Sequence, residues 1–455
     1  MKQVILYAFM LLCPAYTQGQ TVWTMQRCMQ YAVENSHEVK RAELELSNYK
    51  ASRTGAIGRF LPEVDARIGA QYNFGRAIDP ETNIYTDVST FNNGYSLSAS
   101  LPVFDGFSRL HALRAAKASV MMGRSALRQK QDLTALDVLQ AFTNVAYYEG
   151  MVKMAGEKTE ETALLLRQTR LLEEVGRKSS ADVAQVESQK AEADYELTRQ
   201  QNLFASALLE LKKAMNLPLS DTIRLAYTGQ TESLAGVKSG FAPGKVPLSY
   251  VPLAASGKIQ SAGQGHPALQ VAYYQLQTSR HEWHQARAAL YPSLSLSAGL
   301  NTTYFHTLHS DDVQSFRSQL KNNMGEYVGA TLSIPIFNRL QTVTSIRRAK
   351  NNYRIACENY EQKQLELEKL SREAWQDWQG YLKQTEQMEH KVEADSLAYQ
   401  LTRRQFEEGL STAIDLHATS TQLLKSKATL LQCRLMAIVK EQLVRYYQGI
   451  AIWTE

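Results

Sequence analysis

The pentapeptide Leu101-Pro102-Val103-Phe104-Asp105 returns as Ile334-Pro335-Ile336-Phe337-Asn338, 233 positions later. At the same offset Glu174-Val175-Gly176 is matched by Glu407-Glu408-Gly409, and Asp182-Val183 by Asp415-Leu416. A constant offset from Leu101 to Val183 leaves no room for an insertion between these points. Upstream, Arg59-Phe60-Leu61-Pro62 aligns with Ala289-Leu290-Tyr291-Pro292, and His37-Glu38-Val39 with Pro267-Ala268-Leu269, both at an offset of 230. The three-residue difference therefore falls in the loops between. Self-similarity of this kind marks a duplicated structural unit.

Each copy follows one plan. A helix over 37–58 or 267–289 precedes two short alternating segments separated by a polar loop. A very long helical stretch follows, 106–173 or 339–406, then a glycine turn and a last helix, 180–216 or 413–448. The long stretch has no proline, and ~68 residues at 1.5 Å each reach about 100 Å. Leu113, Val120 and Leu127 recur at a coiled-coil step. Leu197, Phe204, Leu208, Leu211 and Met215 make an apolar stripe on the returning helix. A short helix near 22–34 precedes the first copy. The organisation expected is a signal peptide at 1–20 and a first repeat over 21–217, with strands about 62–74 and 94–104. An irregular connecting segment at 218–265 and a second repeat over 266–455, with strands about 292–304 and 327–337, complete it.

The alternating segments decide the environment. Val64, Ala66, Ile68, Ala70, Tyr72 and Phe74 alternate with Asp65, Arg67, Gly69, Gln71 and Asn73. Tyr95, Leu97, Ala99 and Leu101 alternate with serines; so do Leu294, Leu296 and Ala298. Val328, Ala330, Leu332, Ile334 and Ile336 repeat the pattern. Period two over about ten residues suits a tilted strand crossing a bilayer, one face to lipid and one to water. A single such segment also fits a half-buried hairpin in a soluble domain; four, paired and flanked by long helices, favour the membrane. Four strands cannot close a barrel, and an open edge in lipid leaves backbone groups unsatisfied. The chain must oligomerise: two copies give a narrow, filled barrel, and three give room for water.

The remaining sequence bounds the function. Lys2, the apolar run Val4–Leu12 and polar Thr17–Gln20 read as a secretory signal. Cys13 invites lipidation, but Leu12 before it is not small. No apolar run long enough for a membrane-spanning helix follows. The later cysteines, Cys28, Cys357 and Cys433, are too scattered for a disulfide framework. The 50 basic and 45 acidic residues are spread throughout, with no dense basic block, which gives nucleic-acid binding no support. No nucleophile elbow, phosphate loop or zinc-protease motif is present. His281 and His284 share a helix face without a third ligand nearby, His306 and His309 read as a solvated pair in a surface loop, and Trp375 and Trp378 read as packing residues. No enzyme, cofactor or metal is expected.

The duplicated layout, the Leu101–Gly106 motif with its copy at Ile334, and the turns Gly176–Asp182 and Gly409–Asp415 together resemble the TolC-like outer-membrane efflux family. The resemblance covers nearly the whole mature chain. It implies an α+β membrane protein: a homotrimer whose twelve-stranded transmembrane β-barrel, four strands per chain, continues into an α-helical coiled-coil periplasmic tunnel. It also implies docking to a periplasmic adaptor and an inner-membrane pump, residence in the outer-membrane lipid with a periplasmic extension, and no catalytic centre or cofactor. The family closes its periplasmic tip with polar links and a carboxylate ring. Asp182 and Asp415 match acidic positions of that pattern, whereas a second carboxylate position is Ala418, a tyrosine is replaced by Phe406, and a basic position is Ser411. Asp415 also fits a helix N-terminal acid held by the helix dipole. The turns themselves, with Val175, Gly176, Ser179, Glu408, Gly409 and Leu410, are the expected adaptor-docking tips. The leading function is a passive exit duct of a tripartite efflux pump. A duct of a type I protein secretion system, an exported coiled-coil scaffold and an exported hydrolase on a helical scaffold are the rivals.

Overall fold

The structure, a computed structural model, describes residues 22–78, 84–87, 89–226, 265–308 and 314–453. The expected signal segment with Cys13, most of the connecting segment 218–265, and His309 lie outside the described residues. The first part comprises β1 (Val22–Trp23), α1 (Met25–Asn35), α2 (His37–Gly58), β2 (Glu63–Asn73), β3 (Arg76–Ile78), β4 (Tyr85–Asp87), β5 (Thr90–Phe104), α3 (Ser108–Glu174) and α4 (Ser180–Ala214). The second comprises β6 (Arg224–Leu225), α5 (Pro267–Ala288), β7 (Ser293–Thr307), α6 (Phe316–Asn322), β8 (Gly325–Ser333), α7 (Gln341–Glu407) and α8 (Ala413–Tyr447). Two compact units result. Of the described residues, a sheet unit holds those of Leu44–Ala126 and Ala268–Lys363, and a helical unit holds those up to Glu43, of Leu127–Pro267 and of Gln364–Glu455.

The sheet unit is built on an antiparallel sheet ordered β2-β5-β7-β8. Its register stacks like faces together: Val64, Ala99, Ala298 and Val328 form one cross-strand row, and Ala66, Leu97 and Leu300 the next. The opposite face carries rows such as Glu63, Ser100, Ser297 and Gly329. A one-residue slip would exchange the faces. The ring of Tyr327 lies against Gly299 on the neighbouring strand, where a Cβ would meet it at 2.6 Å.

The duplication is visible at the strand-to-helix corner. Gly106 and Phe107 have φ of +65° and +69°; their counterparts Arg339 and Leu340 have +56° and +63°. The Arg109 N–H donates to Asp105 Oδ2 at 3.1 Å, and the Thr342 N–H to Asn338 Oδ1 at 3.3 Å, the same cap in each copy. Only the first copy also needs glycine for space, because a Cβ on Gly106 would sit 2.5 Å from the Ala288 carbonyl.

The fourth strand departs from the expected 327–337. It begins at Gly325 and ends at Ser333, because its neighbour β7 begins at Ser293, which pairs with Ser333. Ile334–Phe337 thus have no strand beside them among the described residues, and Pro335 has no N–H to offer. Pro102, by contrast, lies inside β5, at a register shift against β7. The periodicity did not foretell α6. Its Gln319 accepts from the Phe305 N–H and donates to the Phe305 carbonyl, both at 2.9 Å, so a side chain completes the ladder where β8 is too short.

In the helical unit, one core joins α1, α3, α4 and the C-terminal residues. Met29, Val138, Leu139, Val145, Leu211 and Met215 are fully or nearly fully buried there, with Phe204 and Leu208 packed against them. Of the stripe read on the returning helix, Leu211 and Met215 are therefore core and Phe204 and Leu208 its margin, while half-buried Leu197 lies outside this cluster. Trp378 packs with Ala374 and Val444, and Trp375 lies against that cluster. Buried Asp132 accepts from the Trp453 indole N–H at 2.9 Å, which ties the C-terminal residues to α3.

Candidate functional site

Two surfaces carry the functional reading: the apolar face of the sheet and the turns at the ends of the long helices. On the sheet, the apolar rows are bounded by aromatic residues at one end. Tyr72 lies 4.7 Å from Phe91, Phe91 6.3 Å from Tyr304, and Tyr304 5.1 Å from Phe316 of α6, between ring centroids. At the other end Phe60, Leu61, Phe107, Leu290, Tyr291 and Phe337 remain exposed. Val328 and Ile336 are 88% and 95% exposed in the protomer, an extent of bare apolar surface that water does not tolerate cheaply. Glu326 and Asn93 interrupt the apolar face towards its aromatic end. The outer strands β2 and β8 have a strand neighbour on one side only, among the described residues.

The first helix turn closes through Gly176. Its φ of +73° lets the Arg177 N–H reach back to the Leu172 carbonyl at 2.8 Å. At the second turn Gly409, φ +81°, lets the Leu410 N–H reach the Gln405 carbonyl at 2.7 Å. Each following helix opens with a reciprocal cap. The Ser179 N–H and hydroxyl both donate to Asp182 Oδ2, at 3.1 and 2.8 Å, while the Asp182 N–H donates to Ser179 Oγ at 3.2 Å. Thr412 and Asp415 repeat the arrangement, with 3.2, 2.6 and 3.1 Å, and Ser411 adds a hydroxyl at 3.4 Å.

These bonds favour the charged carboxylates. The Ser179 N–H, then its hydroxyl, holds Asp182 below the usual carboxylate range; the Thr412 hydroxyl, then its N–H, does the same for Asp415. Both acids that matched the gate pattern thus serve as helix caps in the protomer. Phe406 is 2% exposed and packs with Val186, Ala413 and Leu416. The ammonium of Lys178 lies 4.0 Å from the Phe406 ring centroid. Gln189, itself buried, donates to the Ala413 carbonyl at 3.2 Å, and His417 Nε2 approaches Glu192 at 3.8 Å. The structure therefore joins the hairpin of α3 and α4 to that of α7 and α8 through contacts that sequence reading did not single out: Lys178, Val186, Gln189 and His417. Val175 and Leu410 stand exposed at 68% and 76%, Glu408 is exposed, and Ala418 is exposed without a polar group.

The two helix histidines gain a neighbour. The His111 ring stacks on His284 at 5.1 Å and lies 6.0 Å from His281. Stacked rings do not converge their nitrogens on one point, and no group of His, Cys, Asp or Glu among the described residues is placed to hold a metal. Burial, then neighbouring positive charge, lowers the basicity of all three.

Comparison with known proteins gives a consistent result. A model of the outer membrane efflux protein family matches residues 28–217 and 258–445. The fold is similar to that of CusC, described as forming a transmembrane channel, with TM-score 0.79 and 17% identity over 94% of this chain and 92% of that one. It is similar to the outer membrane protein VceC of Vibrio cholerae, with TM-score 0.77 and 12% identity over 94% and 96%. The Campylobacter jejuni CmeC outer membrane channel gives TM-score 0.77 and 16% identity over 93% and 85%. A search of curated proteins by sequence found no match.

Proposed function

The chain belongs to the outer membrane efflux protein family, and from that premise we propose that three copies close one barrel and one helical tunnel. The protein is an outer-membrane exit duct of a tripartite efflux pump, a passive conduit without a catalytic centre, assembling with an adaptor and an inner-membrane pump. The observation that carries the closed barrel is the four-stranded sheet with apolar rows on one face and polar rows on the other. Because strand direction alternates, β8 of one copy and β2 of the next run antiparallel. Identical copies joined this way extend one antiparallel ladder until it closes and no edge is left in lipid. Three copies follow the family resemblance and give twelve strands, a barrel wide enough for water. Residues 1–20 act as a cleaved export signal in this reading.

The tips carry the gate and the docking surface. Asp182 and Asp415 keep their charge and hold the helix starts. The intra-chain links Lys178–Phe406, Gln189–Ala413 and His417–Glu192 hold the two hairpins closed, in place of the family's tyrosine link. Ser411 and Ala418 complete that surface without adding charge. Exposed Val175, Gly176, Ser179, Glu408, Gly409 and Leu410 offer the adaptor a mixed apolar and polar edge.

Carbonate extraction of membranes from the native host tests the reading. The protein stays with the membrane and leaves it only with detergent; release by carbonate alone refutes an integral barrel. Deletion raises sensitivity to at least one toxic compound or abolishes one secreted protein. No change in either, across a broad panel, removes the export assignment.

A further inference from the structure

The charges that looked evenly spread along the sequence are not evenly placed. The helical ends that adjoin the sheet, residues 44–62, 105–126, 268–292 and 338–363, contain fifteen Lys and Arg against five Asp and Glu. No one of the four segments is a basic block; the fold of the sheet unit brings them to the same end of the strands. Arg53, Arg59, Arg287, Arg339, Arg347 and Arg348 are exposed in the protomer and make no ion pair among the described residues. Arg109, by contrast, is held by Asp105 at 3.0 Å.

Position says what these cations can meet. Arg59, Arg287 and Arg339 stand within a residue or two of the helix ends at the strands. Arg53, Arg347 and Arg348 lie five to seven residues further into their helices, about 8–10 Å at 1.5 Å per residue. Exposed Phe60, Leu61, Leu290, Tyr291 and Phe337 mark the apolar boundary at the same level. A bilayer adds roughly 5–7 Å of headgroups beyond its hydrocarbon on each side, and surface charge acts about one Debye length further, ~8–10 Å. All six side chains fall within that reach. A second copy related by rotation about the barrel axis brings the same excess to this level, fifteen cations against five acids, so a net positive charge is left over.

We infer that this basic belt beneath the sheet binds the phosphate headgroups of anionic phospholipids in the periplasm-facing leaflet. The inference rests on the membrane-spanning reading of the sheet. The apolar rim residues bury in the acyl region while the guanidiniums, which fork onto phosphate oxygens, stay in the headgroup layer. Attraction near an anionic surface amounts to about fivefold in local enrichment per cation.

The test uses the full-length protein in mixed micelles of detergent with equal phosphatidylglycerol and phosphatidylcholine, followed by quantification of co-isolated lipid. We expect severalfold enrichment of phosphatidylglycerol at 50 mM salt, falling to the bulk ratio at 500 mM. Replacement of all six, Arg53→Gln, Arg59→Gln, Arg287→Gln, Arg339→Gln, Arg347→Gln and Arg348→Gln, should bring the ratio to bulk at both salts, and the matching Arg→Lys set should keep the enrichment. Equal lipid ratios for the native and Gln proteins overturn the inference. So does Arg-dependent binding to purified cell-wall sacculi without any lipid preference. Protein that remains monodisperse without detergent fails the membrane reading itself, whereas inserted protein without lipid preference fails only the belt.

Discussion

Arginine at Ala298 and arginine at Ser297 should have very different costs, although the two positions are adjacent. Ala298 lies in the row of Val64, Ala99 and Val328, while Ser297 lies on the other face with Glu63 and Ser100. The apolar rows run from Leu294 to Thr302 along β7. Eight residues at ~3.4 Å, tilted by about 40°, rise about 21 Å, close to the ~25 Å apolar band of outer-membrane barrels. Ala298 sits midway in that span. Arginine facing lipid at the midplane costs about 2–4 kcal/mol, a roughly 30- to 800-fold loss in the folded ratio. Ser297→Arg lies at the same depth but faces the aqueous interior, so it escapes the lipid penalty and should cost less than about 1 kcal/mol. Urea titration of refolding into phosphatidylcholine vesicles, read by gel mobility of the folded form, measures both. Equal costs, or the larger cost at Ser297, would show that the faces are misassigned and that the sheet does not meet lipid as described.

Three further outcomes follow from the helices. Phe406→Ala removes a buried ring and should cost about 3–5 kcal/mol locally, seen as faster amide exchange over Tyr399–Leu416 with little change in the core around Leu139 and Leu211; uniform exchange would contradict a local tip cluster. Gly409→Val forces a branched residue to a φ of +81° and should destabilise the second hairpin by at least about 1–2 kcal/mol, whereas an unchanged exchange rate at Leu410 would mean the turn is not held in this form. The histidines His111, His281 and His284 have lowered pKa values, chiefly from burial, so folding favours their neutral forms. Their contribution is intact above the ordinary value of 6.5 and is lost as pH falls below it through the lowered folded values. The melting temperature should drop between pH 7.5 and 5, and His284→Gln should flatten that drop; a parallel drop in the variant would place the effect elsewhere.

Much of the fold was legible because two periodicities are encoded locally. The period of two in 64–74 and 294–300 and the apolar spacing of 197–215 each follow from one segment's own side chains. The repeat added the corner, since Asp105 and Asn338 cap their helices alike. What depended on distant partners was not legible. β8 stops at Ser333 because β7 gives it nothing further to pair with, and α6 is fixed by Gln319 reaching the edge of β7. At the tips, Asp182 and Asp415 could be read as acids at helix starts, but the ring of Phe406 meets Lys178 of the other hairpin, across more than two hundred residues. The basic belt was hidden for the same reason: its arginines are dispersed over four segments, and only the fold gathers them.

Closure of the sheet by identical copies is the claim on which duct, gate and belt all rest. Native mass spectrometry of the protein extracted in mild detergent tests it most directly. We expect a single dominant assembly with three times the mass of the mature chain. A stable monomer, its β2 and β8 edges left open, would contradict it.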